Sequence, residues 1–495
     1  MRFYNSTESY RPNINSKGIK VLFAAIITIV LGIGLILSPL YTAPSILVIV
    51  LAFFVWINPF TGLILYVLSF ILPSGYNVTF GIFMITTISW YAKSLSRRGN
   101  KKVLIKSPLN WMILGLFLSA LIPVFFADGV LENYLDNPKE PFLLLGYGLG
   151  AIIIMNMIDS KKRINSIIWT ITIVGVVVGL ISVYQYFSSP YVDYSYTYLA
   201  INTTISDPAL GDMKRATSLF GDAPTTGYFL QTIFFVCLAA LFGMENRREK
   251  FFFLISSILI AFGIYATLSR SVWLTFIITY VYWKVKRGIK LKEILTVVLL
   301  IPIVYFSFQE KINQRIYQTF VEKDFKQDEL YQQWAEIKRF IDSPLIGTGI
   351  ETKSRFEAVK PYLEEEGFFY YVDYDEDKEL SYLNMFTTES QYTSVFFYTG
   401  IAVQLGIFGL ILILLVIGYT WIDLTKAEVI TKSRECYRLY NIIILGLKAS
   451  FFSQLIHLIR GSPTYKLFWL MVGVSLAFSY FIKTNSTKLP TKMDI

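Results

Sequence analysis

The chain is 495 residues long, 54% hydrophobic and 17% aromatic, with only 16% charged residues. A soluble protein carries about 25% charged residues; here the apolar excess runs the whole length, which excludes a soluble domain of ordinary size. The formal net charge of +10 sits in short connectors between apolar runs, so it orients membrane spans rather than marking a nucleic-acid surface.

Apolar runs of about 17–25 residues are the signature of transmembrane helices. In chain order they fall at 19–38, 41–57, 61–75, 77–94, 108–127, 141–158, 164–186, 226–244, 251–268, 271–285, 294–308, 391–420, 440–458 and 465–482. Fourteen spans become twelve or thirteen if one pair is re-entrant. The first run begins near Ile19 without a small-residue cleavage site and reads as a retained span. The expected fold is an all-α polytopic membrane protein of about 12–14 transmembrane helices, with one large extracytoplasmic loop containing short helices. Residues 1–308 hold about eleven spans and an external loop at 187–225. Residues 309–390 form the large loop, and 391–495 hold about three spans and a tail.

Positive charge fixes the orientation. Arg97, Arg98, Lys101 and Lys102 fill one connector; Lys161, Lys162 and Arg163 the next. Arg247, Arg248 and Lys250 follow, then Lys284, Lys286, Arg287, Lys290 and Lys292, and finally Lys426, Lys432, Arg434 and Arg438. With fourteen spans all of these fall on one side, the cytoplasm, with both termini. The large loop is then outside.

A loop of that length is uncommon unless it is functional or disordered. Its residues 328–342 carry Leu330, Trp334, Ile337 and Ile341 at helical spacing, an amphipathic helix to lie against the membrane face or other spans, ended by Pro344 and Gly347. The acidic, aromatic stretch Glu364 to Glu379 reads as solvated, with a lid or a calcium-binding stretch as alternatives. Cys237 lies in a span and Cys436 in a connector, so neither a disulfide nor a cysteine-held metal is expected.

Three charged residues stand at the outer ends of spans, where charge is expensive unless it is used. They are Arg270 in Thr267-Leu268-Ser269-Arg270, Arg215 before the Gly221/Pro224 entry to a span, and Glu389 just before the span that leaves the loop. Taken singly, each is as well explained by headgroup contact or by a helix cap. Together, two guanidiniums can clamp a diphosphate and a carboxylate can accept a hydroxyl proton. No Gly-rich phosphate loop is present.

Four segments in order resemble the O-antigen ligase and O-antigen polymerase superfamily of bacterial membrane proteins. Ala266 to Leu274 resembles its Thr-x-Ser-Arg segment, and Arg215 to Thr225 its Arg-x-x-Gly-x-Phe-x-x-Pro-Asn segment. Trp334 to Gly349 resembles its loop helix with Pro-Leu-x-Gly-x-Gly, and Glu389-Ser390 with Gly400 its His-Asn/Ser/Gln-x9-Gly segment. Here Glu389 stands in place of the ligase His, no Asn follows Pro224, and Val403 replaces a second Gly. The resemblance implies a glycosyltransferase whose donor is a glycan on polyprenyl (undecaprenyl) diphosphate, delivered at the outer leaflet, with inversion and with no metal or cofactor. Carried over, Arg215 and Arg270 hold the diphosphate and Glu389 is the candidate base.

Lys353 and Arg355 are further candidates for an anionic sugar or the diphosphate, and Tyr392 for substrate contact. His457, the single histidine, reads as packing or headgroup contact. Tyr191, Tyr194, Tyr196 and Tyr198 offer stacking faces for sugars but also fit an interfacial aromatic belt. The leading expectation is a polymerase of lipid-linked repeat units making a surface polysaccharide. The alternatives are a ligase with a different acceptor and a lipid-linked oligosaccharide flippase. The expected partners are the glycan donor and acceptor, the lipid bilayer, and flippase and chain-length regulator proteins; no nucleic acid is expected.

Overall fold

A computed structural model describes residues 51–71, 76–96, 105–126, 130, 139–187, 205–206, 214–220, 223–288, 327–349, 358–362, 397–433, 438–458 and 466–486. The expected spans 19–38 and 294–308 lie outside these residues, as do Glu389, Tyr392, Lys353, Arg355, Cys436 and the acidic stretch at 364–379. The helices are α1 (Pro59–Leu68), α2 (Tyr76–Ser96), α3 (Pro108–Phe126), α4 (Lys139–Met157), α5 (Lys161–Phe187) and α6 (Ala223–Gly243). They continue as α7 (Arg247–Ala266), α8 (Arg270–Arg287), α9 (Gln327–Asp342), α10 (Phe397–Lys432), α11 (Arg438–His457) and α12 (Lys466–Ser486). The protein is an all-α polytopic membrane protein. Its described strands are a two-residue antiparallel ladder in which Ile205 of β1 (Ile205–Ser206) faces Arg215 of β2 (Lys214–Arg215).

Among the described residues, seven helices are long and apolar enough to cross a membrane: α3, α5, α6, α7, α10, and the bulk of α11 and α12. A helix, α8, stands where the sequence predicts a span at 271–285, but with Arg270 at one end and Lys284, Lys286 and Arg287 at the other it is not among the helices long and apolar enough to cross a membrane. These basic groups lie over aromatic rings: Lys284 Nζ is 5.3 Å from the Trp283 ring centroid and Arg287 Cζ 3.6 Å from that of Phe242. Long cationic side chains cover apolar surface in this way while reaching toward an interface.

The chain divides into two compact units. In the first, built from the chain up to Leu65 and from Gly81 to Val103, Ser89 Oγ donates to the carbonyls of Val55 and Trp56, 3.1 Å each. Lys93 Nζ donates to the carbonyl of Ile57.

The second unit holds Tyr66–Phe80 and everything from Leu104 onward. Its centre is α6, which packs against α5, α7, α8 and α11 and is buried almost all round. A helix apolar on every side belongs in the middle of a bundle. Large apolar side chains of the outer helices, Trp111, Phe125, Leu274 and Ile277 among them, remain open, as suits contact with lipid.

Polar contacts set the directions of the helices. Gln231 of α6 accepts from Thr275 Oγ1 of α8 (3.0 Å) and donates to Thr279 Oγ1 (3.3 Å). Ser450 Oγ of α11 donates to the carbonyl of Thr232 (2.7 Å), Gln454 Nε2 donates to Thr232 Oγ1, and His457 stacks on Tyr228 with ring centroids 3.9 Å apart. So α11 runs antiparallel to α6, and its His457 end meets the start of α6. The packing role expected for His457 is met.

α10 is longer than the expected span 391–420. Its 36 residues contain one break, at Gly406 (φ 66°, ψ −172°). Lys426 and Lys432, read from the sequence as connector residues, belong to its last turns. Charge pairing allows this. Glu428 accepts from Lys432 (2.8 Å) and from Lys448 of α11 (2.7 Å), which is buried and also donates to Thr425 Oγ1 (3.1 Å). Asp423 pairs with Lys483 of α12.

Candidate functional site: two arginine segments joined at helix starts

The segments carrying Arg215 and Arg270, 55 positions apart in sequence, meet through their backbones. The amide of Ala216 donates to the carbonyl of Ala266 (3.0 Å), and Arg215 Nε donates to the carbonyl of Thr267 (3.3 Å). Arg270 follows three residues later as the first residue of α8. The other segment leads within a few residues into α6, which starts at Ala223. Both arginines are half-buried. The starts of α6 and α8 and the two arginine-bearing segments thus come together. Helix starts present unpaired N–H groups and a positive dipole end, and the N-cap Ser269 makes no side-chain capping bond. This combination suits a polyanion.

Each segment contains one non-glycine residue in the left-handed region, Ser218 (φ 47°) and Leu268 (φ 48°). Such backbone costs about 1–3 kcal/mol and persists only where the surroundings over-determine it. For Ser218 the clamp is Gln185, near the end of α5. Its Oε1 accepts from the amides of Thr217 (3.1 Å) and Ser218 (2.7 Å), and its Nε2 donates to the carbonyl of Ser218 (3.2 Å). Ser218 Oγ donates to the carbonyl of Val178 (3.0 Å), and Thr226 of α6 donates to the carbonyl of Thr217. Leu268 is buried under Tyr186, Tyr265 and Trp273, the last two stacked at 5.9 Å with 2° between planes. Sequence reasoning did not single out Gln185; the available signal was a carboxamide at the end of an apolar run, where an amide needs partners.

Gln185→Leu should therefore cost several kcal/mol, because three buried backbone groups lose partners at about 1–3 kcal/mol each. Thermal unfolding in detergent should show a lower midpoint. Glycan transfer should fall even at temperatures where the variant is folded.

The large loop reaches the same end of the bundle. α10 runs antiparallel to α11, with Trp421 near Phe452 and Glu428 bonded to Lys448, so the start of α10 lies where α11 finishes and α6 begins. Tyr282 of α8 lies 6.1 Å from Trp421, ring to ring. With about 1.5 Å rise per residue in both helices, Arg270 stands roughly level with the Gly406 break.

A helix break frees backbone groups that low-polarity surroundings cannot satisfy. Here the turn after α9 satisfies them. Thr348 N donates to the carbonyl of Val403 (2.8 Å), Gly349 N to that of Gln404 (3.1 Å), and Ile407 N donates to the carbonyl of Pro344 (2.8 Å). A Cβ on Gly347 would lie 2.1 Å from the Gln404 carbonyl oxygen, and one on Gly406 2.6 Å from that of Leu345. The Pro-Leu-x-Gly-x-Gly segment is thus a backbone clasp on a broken helix.

α9 packs on α10, but through a face other than its apolar stripe. Trp334 and Ile341 are 51% and 65% exposed, whereas Ala335 and Glu336 are 0% exposed. Glu336 accepts from Thr399 Oγ1 of α10 (3.0 Å). Farther along, Tyr362 OH donates to Asp342 at the end of α9 (2.6 Å). Among the described residues no group of three His, Cys, Asp or Glu side chains is placed to hold a metal ion.

Residues 255–414 match the family model described as O-antigen ligase. The match runs from α7 through Arg270, α9 and the clasp to just beyond the Gly406 break, and leaves out Arg215 and the last two helices. It supports an O-antigen ligase/polymerase-like superfamily and a membrane glycan-transfer function of that type. No curated protein matches the chain.

Proposed function

We propose that the protein is a membrane glycosyltransferase that polymerises oligosaccharide repeat units carried on undecaprenyl diphosphate into a surface polysaccharide, at the outer face of the plasma membrane. The observation that carries this reading is the joining of two arginine segments at the starts of α6 and α8. In this reading both termini are cytoplasmic, and the loop at 309–390 covers the site between the spans of 1–308 and those of 391–495.

Arg215 and Arg270 bind the donor diphosphate and stabilise the charge that builds on it, which is the largest service such a site can give. The acceptor hydroxyl oxygen attacks the anomeric carbon from the face opposite the diphosphate. The new C–O bond forms as the old one breaks with inversion, and the electron pair leaves on the lipid diphosphate. Glu389 takes the hydroxyl proton. An ordinary glutamate, with pKa about 4.3, is a weak base at neutral pH, so leaving-group stabilisation does most of the work. Lys353, Arg355 and Tyr392 contact the substrates. Guanidiniums supply the charge that a metal supplies elsewhere.

The description of the matching family favours a second reading, a ligase that passes the same donor to a different acceptor. Purified protein given lipid-linked repeat units in detergent, where sidedness has no meaning, separates the readings. Chain elongation is the expected result. Transfer only to an added foreign acceptor would make the protein a ligase, and no transfer to any acceptor would return the reading to a flippase. In the same assay Glu389→Gln should lower the rate by about 10²-fold or more, within the range for general-base catalysis. Full activity would remove Glu389 as the base.

A further inference from the structure

A helix at a water surface buries its apolar stripe and opens its polar side. α9 is turned the other way. Glu336 meets Thr399 of α10 and, with Ala335, is fully buried. Trp334 and Ile341 stand open, and so does Leu345 in the turn that follows. Seven positions separate Trp334 from Ile341, two turns of helix, so the two share one side. Ile337, on the same side, is half-buried. An open apolar stripe of this size marks contact with a partner or with lipid.

The surroundings of α10 say which. Glu336 accepts from Thr399, and Pro344 accepts from Ile407, so α9 and its turn advance in step with α10 and in the same direction. α9 therefore lies along the first part of α10 and runs toward the Gly406 break. That first part stands at the level where a span begins: Phe397 meets Phe468, near the start of α12, with ring centroids 5.9 Å apart. Residues 401–406 are buried on every side, whereas Phe408 and Ile411, just past the break, are open. These two lie on a helix long and apolar enough to cross a membrane. α9 is thus part of the outer layer over the first part of α10. Its stripe carries the open apolar surface of the bundle on past the level of the break.

We infer that α9 is seated in the bilayer: its Trp334–Ile341–Leu345 stripe lies in the lipid leaflet at the arginine end of the bundle. Leu345 and Ile341, nearest the break, sit deeper, and Trp334 sits toward the headgroups, where tryptophan is favoured. The polar side of such an interfacial helix ordinarily meets water; here it meets α10. This seating does not depend on the transfer reaction, and it anchors the loop to lipid as well as to the bundle.

The test uses full-length protein in vesicles of phosphatidylcholine and phosphatidylglycerol. Spin labels are placed through Trp334→Cys, Ile341→Cys and Leu345→Cys, with Phe408→Cys as the lipid-facing reference, in a protein carrying Cys436→Ser. Cys237 is buried and takes no label. Collisions with oxygen, which concentrates in lipid, are compared with collisions with a nickel chelate, which stays in water. Oxygen should exceed nickel severalfold at Ile341 and Leu345, as at Phe408, with a smaller excess at Trp334. Labels that meet nickel as freely as oxygen would place the stripe in water. Labels that meet neither would place it under protein, a second copy or another part of the chain. Either result overturns the seating.

A second readout needs no label. The part of the fluorescence that Trp334→Phe removes should be quenched by lipids brominated near the headgroup end of the acyl chain, and less by lipids brominated at the chain end. A difference signal that neither lipid quenches would overturn the seating as well.

Discussion

Arg270→Ala should leave membrane abundance intact and lower chain elongation by about a hundredfold or more, the usual loss when one donor to a developing oxyanion is removed. Arg270 is the cleaner of the two arginines to test. Its backbone is set by the helix start and by the buried Leu268 before it, and the Ala216–Ala266 backbone bond of the joint does not involve its side chain. Arg215 also donates from Nε to the carbonyl of Thr267, so Arg215→Ala removes part of the joint as well. Arg270→Lys should fall between alanine and the parent, because lysine keeps the charge and loses the planar fork. The double alanine variant should be scarcely worse than the worse single one if both arginines hold one diphosphate. Polymer length on a gel and initial rates with purified lipid-linked donor are the measurements. Long polymer from Arg270→Ala at parental abundance would remove the diphosphate clamp.

The second large effect belongs to the clasp. Gly347→Ala and Gly406→Ala each drive a methyl group into backbone, which cannot swing aside as a side chain can, and Gly406 also has a φ of 66°. Either change should open the turn from the helix and strand the carbonyls of Val403 and Gln404 and the amide of Ile407. At about 1–3 kcal/mol for each unsatisfied group, the loss should be large enough to remove most folded protein or to lower its melting point by many degrees. Gly418 is the control. It lies in the same helix, and a Cβ there would meet nothing within 4 Å, so alanine should be neutral or slightly stabilising on helix propensity. A Gly347→Ala protein that melts like the parent would show that the clasp does not hold the loop.

Much of the bundle was legible because lipid imposes length and apolarity on any span. The runs at 164–186, 226–244 and 251–268 became α5, α6 and α7 with small changes at their ends. The two arginines were legible for the same reason, since charge at a span end stands out. What joins them was not. Ser218 and Leu268 adopt left-handed backbone, and neither residue type announces it. Gln185 acts on backbone atoms 32 and 33 positions away.

α9 shows a different limit. Helical periodicity found the helix and its apolar stripe, but in a membrane protein that stripe can face either lipid or protein. The pattern therefore could not say that Trp334 would be open and Glu336 closed in. Lys448 was hidden for a related reason. One cation in an apolar run still reads as a span, and its partner Glu428 lies in another helix, beyond the expected end of its own span.

The clasp also bears on how such a protein can diversify. The chain is tied to α10 at Val403 and Gln404, reaches Tyr362 against the end of α9, and returns to α10 at Phe397. The sequence from 363 to 388, ahead of Glu389, therefore lies between two tied points of one supported module. The entropy of closing such an excursion grows only slowly with its length. Residues can be gained, lost or exchanged there with little consequence for the helices beneath. A bundle built this way can keep its joined arginine segments and its clasp constant while that length of sequence between the tied points is rewritten.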